Sequence, residues 1–297
     1  MSATEGPEPP LGGPPGPKLP PGRLVELGGT GEAYIREIDG PPGAATVMLL
    51  HGLTASTDLN WFECFAALGR HFRVIAFDHR GYGRGLPARS DGRFGLEECA
   101  DEAVAVASAL GVDHFVPVGY SLGGAVAQLV WHRHPERVCG LVLCATSREF
   151  LGTLRERLLW RALPVWILVV RRVPSLGRRY VGATLIARFD NSRWREWATA
   201  ELRRATPAHM LAGARALGEF SSVAWIGAVD VPVAVVVTTR DVLVPPDRQR
   251  DLAGAIAGAT VHEVTADHGA PVSEPELFAP ALVDACRSVT ERAHCQH

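Results

Sequence analysis

Gly119, Tyr120, Ser121, Leu122 and Gly123 follow an apolar run at 115–118 and lead straight into a helical pattern over 122–132. A serine at a sharp strand-to-helix turn is held in strained backbone geometry that lifts its hydroxyl above the sheet. Glycines on either side fit because neighbouring backbones come too close there for a Cβ. The helix N-terminus directs unpaired N–H groups towards a developing negative charge. A serine hydroxyl is a poor nucleophile at neutral pH and needs an adjacent base. The base in turn needs a carboxylate to fix its tautomer and stabilise the imidazolium. This turn usually accompanies the chain order Ser, Asp, His.

The sequence has eleven histidines, so the base must be chosen by position. Asp241 follows a strongly apolar strand expected at 233–238, and His268 follows the next strand, expected at 260–264. Both are therefore expected at strand ends, on the side where Ser121 emerges. His114, His132 and His134 flank the strand or helix of Ser121 itself, and His262 lies inside a strand. His51 belongs to a Gly turn, His209 to a helical insertion, and His294 and His297 to the C-terminal end. For the acid, Asp267 would point away from His268 and Asp247 sits a helical turn into the next element.

The elements that must position these residues form an alternating series. Strands are expected at 33–38, 46–50, 73–77, 115–118, 140–144, 233–238 and 260–264, several of them near-continuous Val/Ile/Leu runs of the kind buried on both faces of a parallel sheet. Helices are expected at 61–69, 96–110, 122–132, 247–257 and 275–292. The fold class is therefore α/β, a mainly parallel twisted sheet flanked by helices. The alternation breaks at 148–223, read as a helical cap insertion between two core segments, 23–147 and 224–290. Between Arg148 and Arg215 there are fourteen arginines and five acidic residues, a local excess of nine positive charges. A strongly apolar run at 158–170, containing Trp160 and Trp166, is too short and too interrupted by Arg161 and Pro164 to span a membrane. Its apolar side would face an acyl pocket or, more weakly, a lipid surface. Residues 1–22, rich in Pro and Gly, are expected as a disordered tail, and 291–297 as a flexible end.

With these segments in place, the chain resembles the α/β-hydrolase superfamily, in its serine esterase and lipase-like branch. Residues 119–123 match that family's nucleophile turn, Leu49 to Thr54 its strand and His-Gly turn, and Asp78 to Gly85 its D-x-R-G-x-G loop. Val237 to Pro245 and Ala266 to Gly269 match its late acid and histidine loops, and the main rival to Asp241 is Glu149, after the sixth strand, where some members of the superfamily place the acid. The resemblance implies an oxyanion hole built from the backbone N–H groups of Leu53 and Leu122, each such donor contributing ~3 kcal/mol in the transition state. It also implies a bracing role for Arg80 rather than a catalytic one.

The expected reaction is two-step acyl transfer on a carboxylic ester, with Ser121, His268 and Asp241 as nucleophile, base and acid. Trp160, Trp166, Trp194 and Trp197 in the insertion favour a small or medium-sized apolar substrate. Serine at 121 argues against epoxide hydrolases and haloalkane dehalogenases, which use aspartate there. Gly269 lowers the weight of carbon–carbon bond hydrolysis, whose enzymes commonly have an aromatic residue after the histidine. Cofactor-free perhydrolases share the residue set, and a non-catalytic ligand receptor that retains the pocket is the alternative from another class. No metal or organic cofactor is implied. With 30 basic and 32 acidic residues, the chain lacks the positive surplus of a general nucleic-acid binder. Six cysteines without a CxxC pair or zinc spacing, and no charged n-region ahead of an apolar stretch, point to reduced thiols in the cytoplasm.

Overall fold

In the computed structural model, residues 15–152, 156, 172 and 193–293 are described. An eight-stranded sheet runs in the order β1 (Gly22–Glu26), β2 (Glu32–Ile38), β4 (Arg73–Phe77), β3 (Thr46–Leu50), β5 (Val116–Tyr120), β6 (Leu141–Cys144), β7 (Val233–Thr238) and β8 (Thr260–Val264). β2 is antiparallel to both β1 and β4, and every other pairing is parallel.

Side chains alternate across the sheet, so odd and even positions of each apolar run feed two separate cores. Met48, Leu50, Ile75, Phe77, Leu141, Leu143, Val233, Val235 and Val237 pack on one face. They meet α3 (Leu96–Ala109), α4 (Leu122–Arg133) and α7 (Pro246–Gly254). Val47, Leu49, Val74, Ala76, Val116, Val118, Val142, Cys144, Ala234 and Val236 pack on the other, against α2 (Phe65–Leu68) and α8 (Pro275–Thr290). A strand buried on both faces must be apolar at nearly every position, as β3, β5, β6 and β7 are, and all four are wholly buried. β8 lies at the edge and keeps the alternation, with Val261 47% exposed.

β3 has β4 on one side and β5 on the other, so the chain reverses its direction of growth across the sheet there. The loops leaving adjacent strand ends on either side of such a reversal part to form a crevice, where ligands of open α/β sheets bind. The His51-Gly52 turn leaves β3 and Ser121 leaves β5, which places both at that crevice.

The long connection from β6 to β7 includes, among the described residues, the helices α5 (Arg195–Leu202) and α6 (Pro207–Glu219) and no strand of the sheet. Both helices seat on the loop after β4. His209 Nε2 lies 2.8 Å from the Arg80 carbonyl oxygen, its ring packs on Tyr82 and Phe94, and a Cβ at Gly81 (φ +76°) would collide with it. The whole apolar run 158–170, with Trp160 and Trp166, lies outside the described residues. So do His294, His297 and residues 1–14.

Four sequence expectations are corrected. The N-terminal tail does not extend to 22. Gly22 opens β1, Leu19 packs against two core clusters, and the Pro20 carbonyl accepts from Arg36 Nη1 at 2.5 Å. At the other end, Arg292 donates to the carbonyls of Ser288, Gly258 and Val233, tying down the start of the expected flexible end. The single helix expected at 61–69 is two short ones, α1 (Thr57–Trp61), capped by Ser56 Oγ accepting from the Leu59 N–H, and α2. Cys139 is disulfide-bonded, to a partner outside the described residues, whereas Cys64, Cys99, Cys144 and Cys286 are free and buried.

Candidate active site

The turn at Ser121 has the strained geometry its sequence calls for. Ser121 adopts φ 54°, ψ −112°, a backbone region that L-residues hold only when their surroundings over-determine it. Here the Ser121 N–H donates to the Cys144 carbonyl at 2.9 Å. Its own carbonyl accepts from Thr146 Oγ1 at 2.8 Å and from the Gly124 N–H at 2.9 Å. A Cβ at Gly119 would run into the Gly123 carbonyl, and one at Gly123 into the Leu50 carbonyl. Both glycines are therefore required by close backbone approach.

Ser121, Asp241 and His268 come together. His268 Nε2 lies 3.0 Å from Ser121 Oγ, and Nδ1 lies 2.6 Å from Asp241 Oδ2. Asp241 is 3% exposed and held from every side. Oδ1 accepts from the Leu243 and Val244 N–H groups at 2.9 Å each, and Oδ2 accepts from Thr238 Oγ1 at 2.9 Å. Burial raises its pKa, but the His268 hydrogen bond and charge, the Val244 N–H and the Thr238 hydroxyl outweigh burial and hold the carboxyl below its ordinary value.

The rivals lie elsewhere. The Glu149 backbone bridges to Ser221, Asp267 accepts from the Gly269 N–H, and Asp247 is exposed beside Arg250. His51 is wholly buried against His79, with a pKa lowered by burial to about 4, so it stays neutral. Arg80 braces its surroundings, donating to Glu102 at 2.6 Å and to the Pro87 carbonyl at 3.1 Å. The Leu53 and Leu122 N–H groups lie on the two turns flanking the serine, and neither has a hydrogen-bond partner among the described residues.

Several supporting residues carried no readable signal in the sequence. The Gln249 amide spans the acid loop. Its Oε1 accepts from the Thr238 N–H at 3.0 Å, and its Nε2 donates to the Val244 carbonyl at 2.7 Å. The Tyr120 hydroxyl donates to the His268 carbonyl at 3.1 Å. Asn60 Oδ1 accepts from the Gly52 N–H at 2.9 Å.

A cavity of about 580 Å³ opens over Ser121 and His268, with walls that include Leu53, Leu59, Leu202, Leu217, Val242 and Val272. Its charged wall residues, Glu156 and Arg248, pair with each other at 3.0 Å. Among the described residues no group of three or more His, Cys, Asp or Glu side chains could hold a metal ion. No helix among them is long and apolar enough to cross a membrane.

The strand order and the serine turn at a crevice agree with family comparison, since the alpha/beta hydrolase fold family matches residues 45–275. The chain belongs to that family. Among its relatives is the "Putative carbamate hydrolase RutD" of Agrobacterium fabrum, 28% identical over 81% of this chain and 92% of that protein. Another is the "Epoxide hydrolase B" of Mycobacterium tuberculosis, 35% identical over 35% of this chain and 30% of that protein. A hydrolase from Pseudomonas aeruginosa PA01 superposes with TM-score 0.75 at 24% identity, covering 89% of this chain and 98% of that one. The family and its relatives' names support hydrolase activity.

Proposed function

We propose that the protein is a serine hydrolase that cleaves a carboxylic ester of a small or medium-sized, apolar, uncharged substrate through an acyl-serine intermediate. The observation that carries this reading is the hydrogen-bonded line Ser121–His268–Asp241, at 3.0 and 2.6 Å, beneath a mainly apolar cavity. Ser121 Oγ attacks the carbonyl carbon while His268 Nε2 takes its proton. The Asp241 carboxylate holds Nδ1–H and stabilises the imidazolium that results. The Leu53 and Leu122 N–H groups receive the negative charge on the carbonyl oxygen. Nε2 returns the proton to the departing alcohol as the C–O bond breaks, and a water then repeats the sequence on the acyl-serine, releasing the acid.

The internally neutralised Glu156–Arg248 pair favours an uncharged substrate, since neither charge is left over for a ligand. The β6–β7 insertion acts as a cap, with Leu202 and Leu217 lining the cavity. Its contact with a lipid surface would be secondary to this role. The four free, buried thiols support a cytoplasmic location, and the bond at Cys139 opposes it. A carbamate carbonyl is a second reading, favoured by the likeness to the Agrobacterium protein, because the same nucleophile and donors serve either carbonyl.

The test is labelling with a fluorophosphonate probe and turnover of a panel of p-nitrophenyl esters and one p-nitrophenyl carbamate, in wild type and Ser121→Ala. Labelling, with ester turnover lost by at least about 10⁴-fold in the variant, is the expected result, and preference for the carbamate would select the second reading. Turnover that survives Ser121→Ala overturns the role of Ser121. A wild type that neither labels nor turns over overturns the enzyme reading in favour of a ligand receptor.

A further inference from the structure

The turn after β3 offers two successive main-chain N–H groups, those of Gly52 and Leu53. The first donates to Asn60 Oδ1 at 2.9 Å, and the second has no partner among the described residues. Asn60, on α1, is 6% exposed and borders the cavity. Gly52 stands beside the serine turn. A Cβ built on it would lie 3.4 Å from Asn60 Oδ1 and 3.6 Å from Ser121 Cβ.

A main-chain N–H can only donate, so the Gly52 bond fixes which end of the Asn60 amide is oxygen. Nδ2 must then face away, and it lies buried with no hydrogen-bond partner among the described residues. An unsatisfied buried donor is costly, and groups of this kind concentrate where function demands the arrangement. The Asn60 amide thus holds the Gly52 peptide at the expense of its own nitrogen.

We propose that Asn60 is a positioning residue. By occupying the Gly52 N–H it fixes the plane of the next peptide and aims the Leu53 N–H at the oxygen of the substrate carbonyl. This rests on the serine-hydrolase reading above and assigns Asn60 a role in that same site.

Asn60→Leu tests it with a near-isosteric side chain. The variant loses one unsatisfied donor, Nδ2, and creates another at Gly52, so the melting temperature should stay within a few degrees of wild type. The donor at Leu53 acts on charge that exists only in the transition state, so kcat on a p-nitrophenyl ester should fall about 10- to 100-fold, with KM within about twofold. The Ki of an alkyl boronic acid, which forms a tetrahedral adduct with the serine, should rise by a similar factor. Asn60→Ser keeps a polar group too short to span to Gly52. It should lose kcat likewise, and it serves if the leucine variant does not fold. Full kcat in a folded variant overturns the proposal, as does a loss of kcat shared equally by KM and melting temperature with boronate affinity unchanged. Failure of the underlying reading looks different, because turnover would then persist in Ser121→Ala.

Discussion

Glu201 and Arg84 meet in a two-point ion pair in which Nη1 and Nη2 donate to the two carboxylate oxygens at 3.2 and 2.9 Å. Glu201 lies on α5 of the β6–β7 connection and Arg84 on the loop after β4. Arg84 also reaches Asp58, which Arg36 holds at 2.5 and 2.8 Å, and Glu201 receives Ser56 Oγ and Arg204 as well. Positive and negative groups alternate along this chain, joining the insertion to the sheet domain beside the cavity.

Breaking such a network from one side leaves a buried charge short of partners, which costs more than the intact network contributes. Arg84→Met strips Glu201, whose side chain is 3% exposed, of its strongest partner. Denaturant unfolding should show a loss of about 3 kcal/mol. The double variant Arg84→Met with Glu201→Leu should recover 1 kcal/mol or more (roughly) relative to the single, because the Glu201 carboxylate is then gone and the other carboxylate that Arg84 reaches, Asp58, keeps its bonds to Arg36. A single-variant loss below about 0.5 kcal/mol would show that solvent already screens the pair.

The acid loop gives a sharper expectation. The Leu243 and Val244 N–H groups both point at Asp241 Oδ1, so an asparagine at 241 must keep its oxygen there and place its NH₂ where Oδ2 faces His268. His268 Nδ1 would then have to accept, which moves the ring proton to Nε2, the nitrogen that should take the Ser121 proton. Asp241→Asn should therefore lower kcat by about 10⁴-fold with the fold intact. Nitrogen NMR of the His268 ring checks the cause directly, and a variant with unchanged tautomer and undiminished kcat would remove Asp241 from the reaction.

These cases mark what the sequence makes legible. The strands β3, β4 and β7 fall at their expected limits because a doubly buried strand has to be an unbroken apolar run, or nearly so. Asp241 was readable because it follows such a run, His268 because it follows the next strand, β8, and Ser121 because its turn admits only glycines at 119 and 123. β1 was missed because Gly22 to Glu26 follow a Pro/Gly-rich stretch and carry too few apolar residues to stand out. The helix expected at 61–69 takes in all of α2 but only Trp61 of α1, because the apolar residues that signal a helix begin at Trp61 and continue across the break. Asn60, Gln249, Arg84 and Glu201 act through partners brought close only by tertiary folding, and a lone polar residue in a sequence does not announce its partner.

The buried groups behind the His51 turn dictate how stability varies with pH. His51 is held at about 4 and His79 well below its ordinary value, both chiefly by burial. Between about pH 4.5 and 6 the unfolded chain therefore binds two protons at these histidines that the native chain does not, so stability drops on acidification. Asp78 works in the opposite sense. Burial and the neighbouring Asp58 raise it to about 7, against the Arg84 and Thr57 N–H bonds, so the native chain keeps a proton that the unfolded carboxyl has released. Two protons against one give these three groups a net uptake of one on unfolding, a contribution of ~1.4 kcal/mol per pH unit to the slope, with stability rising towards neutrality. Asp78→Asn removes the opposing proton and should steepen the slope by a further ~1.4 kcal/mol per pH unit, even though the variant is less stable throughout. Denaturant unfolding of both proteins across pH 4.5–6 measures the two slopes. A wild-type stability that falls as pH rises through this window would show that these histidines titrate in the native state.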